Sequence, residues 1–259
     1  MATMTAAQKA KFILTVTIAR PTVMLFTEPI AAFLAIYTAF NFGVLFCFFA
    51  AFPVVFESPF PEVQVYHFTQ GESGLVFLGI GAGVLMATVI FIISDKLYYQ
   101  PRARKEITLN GKDARSLLLA PESRVYSAVI GSILLPISLF WFAWTAKSSV
   151  HWIVPVIATV FFGAGNLLVF FTAVMYQLDA YGPLMGASAM AANGILRYTF
   201  GAVFPLFARQ MYRVLGVAWA TSLLGFVTIA LMPLPWLLAK YGSKIRSRSK
   251  YATFSRAYE

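Results

Sequence analysis

Residues 184–207 read LMGASAMAANGILRYTFGAVFPLF, which is apolar except near its middle. It holds about 24 residues, so as a helix it would rise roughly 36 Å, which is enough to cross the hydrocarbon core of a bilayer with some tilt. Its strongly polar groups stand near the middle, where Asn193 and Arg197 are four residues apart and share a helical face. An arginine at that depth costs about 2.5–3.5 kcal/mol on insertion scales, so we expect Arg197 to face protein or water.

The composition extends this interpretation to the whole chain. Of its 259 residues, 59% are hydrophobic and 12% are charged, and the mean hydropathy is +0.75. A soluble domain is nearer half apolar and a quarter charged. We therefore predict an all-α polytopic membrane protein. In a membrane protein, we attribute the net charge of +10 to Lys and Arg residues that orient the chain across the bilayer and contact anionic lipid headgroups, not to binding of nucleic acid.

Six apolar stretches are long enough to cross the bilayer as helices. We predict a cytosolic N-terminal segment over 1–28 with an interfacial helix that ends at Arg20-Pro21, a six-span membrane domain over 29–238, and a basic cytosolic tail over 239–259. The predicted spans are 29–53, 74–94, 125–145, 152–176, 184–207 and 214–238.

Basic residues fall mostly on one set of connections. Sixteen Lys and Arg residues lie in the N-terminal segment, the loop after the second span, the turn after the fourth and the tail, whereas the opposite connections carry Lys147, Arg209 and Arg213. Because cytosolic loops carry the excess of Lys and Arg, this asymmetry predicts that both termini are cytosolic.

Catalytic and metal-binding patterns are absent from the sequence. It has no P-loop and no G-x-S-x-G elbow, and the GIGAG run at 79–83 lies within apolar sequence, where a GxxxG pair predicts close helix packing. His67 and His151 fall in loops that we assign to opposite sides, with no Cys, His or acid cluster beside them. No carboxylate is in mid-span, where proton-coupled transporters usually place a titratable group. We expect no enzymatic activity, no cofactor and no metal.

The polar residues inside the predicted spans are the candidates for a substrate site. Alternatively, these polar side chains form hydrogen bonds between helices, each of which is worth only about 0.6 kcal/mol on average. For Arg197 the larger cost of burial favours a functional or cavity-facing role. The candidates are Tyr37, Asn41, Asn166, Asn193 and Arg197.

Long runs of the chain resemble fungal transporters of the major facilitator superfamily, and within it the twelve-span drug:proton antiporters, which include multidrug and polyamine exporters. The opening RPTVMLFTEPIAAFLAIYTAFNFGVLFCFFAAFPVVF (20–56) resembles that family's seventh span and the approach to it. The other runs are LLPISLFWFAWTA (134–146), SVHWIVPVIATVFFGAGNLLVF (149–170), YQLDAYG (176–182), ASAMAANGILRYTFGAVFPLFARQMYRVLGVAWATSLLGF (187–226) and PLPWLLAKYGSKIRSRSKY (233–251).

The resemblance implies that the six spans correspond to the C-terminal six of the family. Asp95 and Lys96 resemble a degenerate form of its Gly-x-x-x-Asp-Arg loop motif, and Asp179 and Tyr181 match its Asp-x-Tyr after the tenth span. These four residues are the candidates for conformational gating. Asn193 and Arg197 match the polar positions of the eleventh span.

The resemblance also implies that the family's N-terminal six spans lie outside this sequence. Substrate in this superfamily binds between two repeats at mid-depth. We therefore expect a truncated half of a plasma-membrane exporter of a small organic molecule or polyamine, which needs a second half, supplied by a homodimer or another chain. The alternative is a non-transporting interaction protein that pairs with full-length carriers in the bilayer and modulates them.

Overall fold

The computed structural model describes most of the chain, and within the described residues every regular element is a helix and none is a strand. The prediction of an all-α polytopic membrane protein is confirmed. Parts of the predicted N-terminal segment, of the loop after the second span and of the basic tail lie outside the described residues, which are 15–57, 65–101, 104–105, 121–247 and 249–252.

The described chain forms six α-helices and four one-turn segments. The one-turn segments are Thr15–Ala19, Pro53–Glu57, Asp95–Tyr99 and Pro121–Arg124. The α-helices are α1 (Arg20–Thr27), α2 (Pro29–Phe49), α3 (Gln70–Ser94), α4 (Val125–Thr145), α5 (Ile153–Leu231) and α6 (Pro233–Arg246).

The α5 helix is too long for a single span. Its 79 residues would rise roughly 120 Å, about four times the thickness of the hydrocarbon core. Gly182 (φ 64°) and Gly216 (φ 71°) break it, because both adopt a left-handed backbone that only glycine enters readily. The breaks divide α5 into α5a (153–181), α5b (183–215) and α5c (217–231).

Five stretches of the described chain are long and apolar enough to be membrane spans. The last of them, Met185–Arg246, is 62 residues long, and Gly216 divides it into α5b and a second length formed by α5c and α6. The division gives six span-length helices. The other four stretches are Pro29–Glu57, Gln70–Tyr99, Val125–Thr145 and Ile153–Gly182.

Helix ends differ from the predicted boundaries at most spans. The α4 helix, Val125–Thr145, has the same bounds as the third predicted span, whereas α3 begins earlier than the second, at Gln70, because Thr69 and Glu72 form a capping box there. The predicted helix end at Arg20-Pro21 is wrong. Pro21 lies in the first turn of α1, and the helical backbone continues past it to Thr27.

The predicted glycine contact in the second span is present. A Cβ atom at Gly83 would collide with the Val160 carbonyl oxygen of α5a, and one at Gly79 would collide with the Thr159 hydroxyl. Gly81 has nothing within 4 Å of the same hypothetical atom. The small residues therefore bring α3 against α5a along one face only.

Aromatic side chains fill the interior between α2, α4 and α5a. The Phe48 ring centroid lies 4.8 Å from that of Phe142 and 4.5 Å from that of Phe162, and all three side chains are fully buried. Pairs at this spacing add about 0.5–1.5 kcal/mol beyond the area they bury. They hold the three helices as one packed unit.

The helix ends define two faces. Tyr66 donates hydrogen bonds from its hydroxyl to the Lys147 and Val150 carbonyls, at 3.1 and 2.8 Å, so the loops after the first and third spans meet. The assignment of His67 and His151 to opposite sides is therefore wrong. We call this end the loop face, and the other end, where α1, Arg124 and the residues after α6 lie, the tail face.

Candidate functional site

A cavity of about 450 Å³ opens between α2, α3, α5a and α5b. Its wall is apolar and aromatic apart from an amide, a tyrosine hydroxyl and one guanidinium. The lining residues that carry the argument are Phe42, Asn166, Phe170, Arg197 and Tyr198. This is the size and composition of a site for a small organic molecule.

Arg197 lies among three aromatic rings in this cavity. Its Cζ atom is 4.7 Å from the ring centroid of Phe170, 5.0 Å from that of Tyr198 and 5.3 Å from that of Phe42. Its Nη2 donates to the Tyr198 hydroxyl at 3.3 Å, while its buried Nε has no hydrogen-bond partner among the described residues. The rings stabilise the cation, and the guanidinium brings a positive charge to the cavity wall.

Asn193 lies away from Arg197. It is 2% exposed, its Oδ1 accepts from the Thr38 hydroxyl at 2.9 Å, and its Nδ2 donates to Gln177 Oε1 at 3.3 Å. This bridge joins α2, α5a and α5b. Asn193 therefore connects helices, whereas Arg197 lines the cavity.

The three remaining candidates are divided between cavity wall and interior. Asn166 lines the cavity and donates from Nδ2 to the Asn41 carbonyl oxygen at 3.3 Å. Asn41 is buried, and its own Nδ2 donates to the Tyr37 carbonyl oxygen one turn earlier at 2.9 Å. Tyr37 is 4% exposed and lies inside the helix packing. The structure thus brings Asn166 and Arg197 together in the cavity.

The candidates for gating lie at the tail face. Arg124 donates from Nε to Asp179 Oδ2 at 2.7 Å, and its Nη1 is 3.4 Å from Asp95 Oδ1. Its guanidinium also lies 3.9 Å from the Tyr99 ring centroid. Lys96 is exposed.

The groups around Arg124 shift the pKa of its guanidinium. Burial disfavours its charged form, but the carboxylates of Asp179 and Asp95 and the neighbouring Tyr99 outweigh that effect and raise the pKa of the guanidinium above its ordinary value. Arg124 therefore stays a cation that joins the end of α5a to the end of α3.

Tyr181 belongs to a separate tail-face contact. Its hydroxyl donates to Glu28 Oε2 at 3.3 Å and accepts from the Ala31 backbone N–H at 3.1 Å.

Sequence reasoning did not single out Glu28 and Arg124, which are central to the two tail-face clusters. In the sequence, Glu28 is one of ten carboxylates, and Arg124 is one of the sixteen basic residues assigned to the cytosolic side. The adjacency of Glu28 to Pro29 was the one local signal, because proline ends the preceding helix and fixes an extended residue there.

The described residues offer no cluster of three or more His, Cys, Asp or Glu side chains that could hold a metal ion. The cavity wall carries no carboxylate or histidine among its lining residues. The arrangement is therefore that of a binding surface with one fixed cation.

Comparison with known proteins identifies the family. The chain is 45% identical over 233 residues to an efflux pump of Gibberella fujikuroi, which covers 90% of this chain and 38% of that protein. It is 42% identical over 241 residues to a major facilitator superfamily multidrug transporter of Aspergillus fumigatus, with 93% and 37% coverage. The chain belongs to the major facilitator superfamily.

A third relative widens the range of substrates named. Polyamine transporter 4 of Saccharomyces cerevisiae is 40% identical over 259 aligned residues, covering 93% of this chain and 38% of that protein. The chain thus spans a little over a third of the length of these relatives. No family model matches the chain, and no solved structure matches it. The superfamily assignment rests on these transporters and on the apolar helices, and it makes the chain an integral membrane protein.

Proposed function

We propose that the chain is one six-helix half of an export carrier, corresponding to the C-terminal half of its relatives. Its substrate surface is the cavity around Arg197, and a second six-helix half covers that surface in the working carrier. The observation that carries the proposal is the aromatic cavity with a buried guanidinium donor that has no partner among the described residues. Sites in this superfamily lie at mid-depth between two repeats, and Arg197 lies midway along α5b.

The wall of the cavity favours a small aromatic or anionic molecule over a polyamine. A polyamine carries several positive charges, and Arg197 would repel them across a medium of low dielectric. A carrier built from this half and exporting polyamines needs carboxylates from its second half. The same holds for proton coupling, because the lining residues of this half offer no carboxylate or histidine.

The tail-face clusters are the proposed conformational elements. Asp95 and Asp179 share Arg124, and Tyr181 ties α5a to the start of α2, so opening of the tail face requires these contacts to rearrange. Lys96, which is exposed beside them, supplies a further positive charge at this face. We place the tail face in the cytosol and the carrier in the plasma membrane, on the asymmetry of basic residues and the resemblance to exporters.

Co-expression tests the proposal. Yeast cells lacking their own drug exporters receive this chain, the N-terminal half of a full-length relative, or both, and efflux of a fluorescent aromatic drug is measured. We expect efflux against a gradient only with both halves. A homodimer of this chain, which cross-linking would detect, brings no lining carboxylate or histidine for proton coupling and should at most let the drug equilibrate. If the chain instead lowers efflux by an intact carrier and never supports efflux with any half, it is a modulator and the proposal is wrong.

A further inference from the structure

A buried carboxylate at the tail face holds the end of the chain. Glu28 is the extended residue between α1 and α2, and its side chain is 1% exposed. Residues 249–252 follow α6, and in them Ser249 is 2% exposed and Ala252 is 1% exposed. We call residues 249–252 the tail segment. More than two hundred residues of sequence separate the two sites, so their contact is tertiary.

The tail segment supplies most of the hydrogen bonds that Glu28 accepts. Oε1 accepts the backbone N–H groups of Lys250 at 3.1 Å and Tyr251 at 3.3 Å. Oε2 accepts from the Ser249 hydroxyl and from the Tyr181 hydroxyl. Burial of an ionised carboxylate is unfavourable unless such bonds replace its water. Three of these four donors are lost when the tail segment leaves.

The structure also orders the tail segment locally. Ser249 donates its backbone N–H to the Arg246 carbonyl at 3.0 Å, and its hydroxyl accepts from the Ala252 backbone N–H at 3.1 Å. The segment is therefore folded into a compact turn that directs two consecutive N–H groups at one carboxylate.

A second contact fixes where the segment starts. Arg246, the last residue of α6, lies 3.4 Å from Glu122 Oε2, while Glu122 Oε1 accepts from the Tyr176 hydroxyl at 3.1 Å. The chain thus leaves α6 beside the start of α4 and reaches the start of α2 a few residues later. The path crosses the end of α5a, which carries both Tyr176 and Tyr181.

We propose that Glu28 is a receptor for the tail segment and that the two form a latch across the tail face. The latch ties the start of α2 and the end of α5a to the chain that follows the last span. Because Tyr181 bonds both Glu28 and the Ala31 backbone, separation of α2 from α5a at this face removes one of the four donors to Glu28 and weakens the latch. The latch is a property of this chain by itself and does not depend on the carrier proposal.

Hydrogen–deuterium exchange on the full chain in detergent micelles tests the latch. We expect Glu28→Ala to raise the exchange rates of the Lys250 and Tyr251 amides about tenfold or more, the change expected when a bond to a charged group is lost. Glu28→Gln can still accept both backbone N–H groups through its amide oxygen and can donate from its amide nitrogen to the two hydroxyls, so it should raise exchange less than Glu28→Ala. Ser247→Ala is the matched control, because the exposed Ser247 hydroxyl donates to the Lys244 carbonyl in the last turn of α6 and has no hydrogen bond to Glu28 among the described residues.

A second experiment, on the tail segment itself, tests the latch even if variants at Glu28 do not fold. Ser249→Glu sets a second carboxylate against Glu28 and should expel the tail segment by like-charge repulsion, which makes the chain cleavable by trypsin at Lys250. A chain ending after residue 252 should match the full chain in protection of the Lys250 and Tyr251 amides. Unchanged exchange in Glu28→Ala, or equal protection in Ser249→Glu and the full chain, would overturn the latch.

Discussion

Arg197 and Asn193 show how two positions on one face of a helix acquire different environments. Four residues correspond to a rotation of roughly 40° about the axis, and that rotation separates the cavity wall from the contact with α2 and α5a. Asn193 bonds Thr38 and Gln177, whereas Arg197 lies among aromatic rings. The sequence predicted that Arg197 faces protein or water, because lipid exposure is costly. The four-residue spacing alone could not show that Asn193 lies in a helix contact while Arg197 lines a cavity.

Replacing Arg197 with leucine should leave the fold intact and change what the cavity binds. The buried Nε has no partner among the described residues, and Nη2 donates to the hydroxyl of the exposed Tyr198, which water can satisfy after the substitution. In the assembled carrier we expect Arg197→Leu to lower export of aromatic anions about tenfold or more and to improve export of polyamines. The measurement is substrate efflux, with the exposed Arg209→Gln as control. Unchanged export of both classes would contradict a role for the guanidinium in the site.

The two carboxylates that contact Arg124 should contribute unequally to the stability of the chain. Asp179 accepts at 2.7 Å and its side chain is 11% exposed, whereas Asp95 lies at 3.4 Å and is 29% exposed. We expect Asp179→Asn to destabilise the chain by about 1–3 kcal/mol and Asp95→Asn by less than about 1 kcal/mol. Thermal unfolding in detergent measures both. Equal losses, or a larger loss for Asp95→Asn, would show that the 2.7 Å contact is not the main one.

At the scale of helices, sequence patterns indicated where long apolar helices lie better than where those helices end. The α4 helix matches its prediction because charged and polar residues border it on both sides. The α5b helix extends to residue 215, well past the predicted end at 207, because Arg209 and Arg213 continue the helix at the loop face instead of ending it. Hydropathy reports where the lipid ends, whereas hydrogen bonding decides where the helix ends.

The contact between α3 and α5a should depend on which glycine is replaced. Gly83→Val places a branched side chain against the Val160 backbone, and overpacking of this kind costs about 1–3 kcal/mol or forces the helices apart. Gly81→Val, two residues earlier on the open face, should be tolerated. Yield and melting temperature of the purified chains make the comparison. Similar losses in both variants would point to helix propensity instead of packing.

At the scale of the whole molecule, the fold class and the family resemblance were readable from the sequence, but the clusters that join distant segments were not. Glu28 meets the tail segment across almost the entire chain, and Arg124 meets Asp179 across 55 residues. No local periodicity encodes such pairs. The second wall of the proposed site could not be read from the sequence for another reason: the chain spans about 38% of the length of the relatives that it matches.

Orientation is testable on the whole chain. We expect the loop face to lie outside the cell and the tail face inside, on the sixteen-to-three asymmetry of basic residues. After replacement of the buried Cys47 by alanine, Ser148→Cys should react with a membrane-impermeant thiol reagent in intact cells, and Lys105→Cys should react only after permeabilisation. Labelling of Lys105→Cys in intact cells would invert the orientation.

The central claim is that this chain supplies one wall of a transport site and needs a second half. The most direct measurement is reconstitution of the purified chain into liposomes with an imposed pH gradient, followed by uptake of a labelled aromatic drug. We expect no gradient-dependent movement from monomeric chain, and movement once a second six-helix half is co-reconstituted. Gradient-driven transport by a chain shown to be monomeric in those liposomes would contradict the claim, because it would place the complete site and its proton coupling within these six helices.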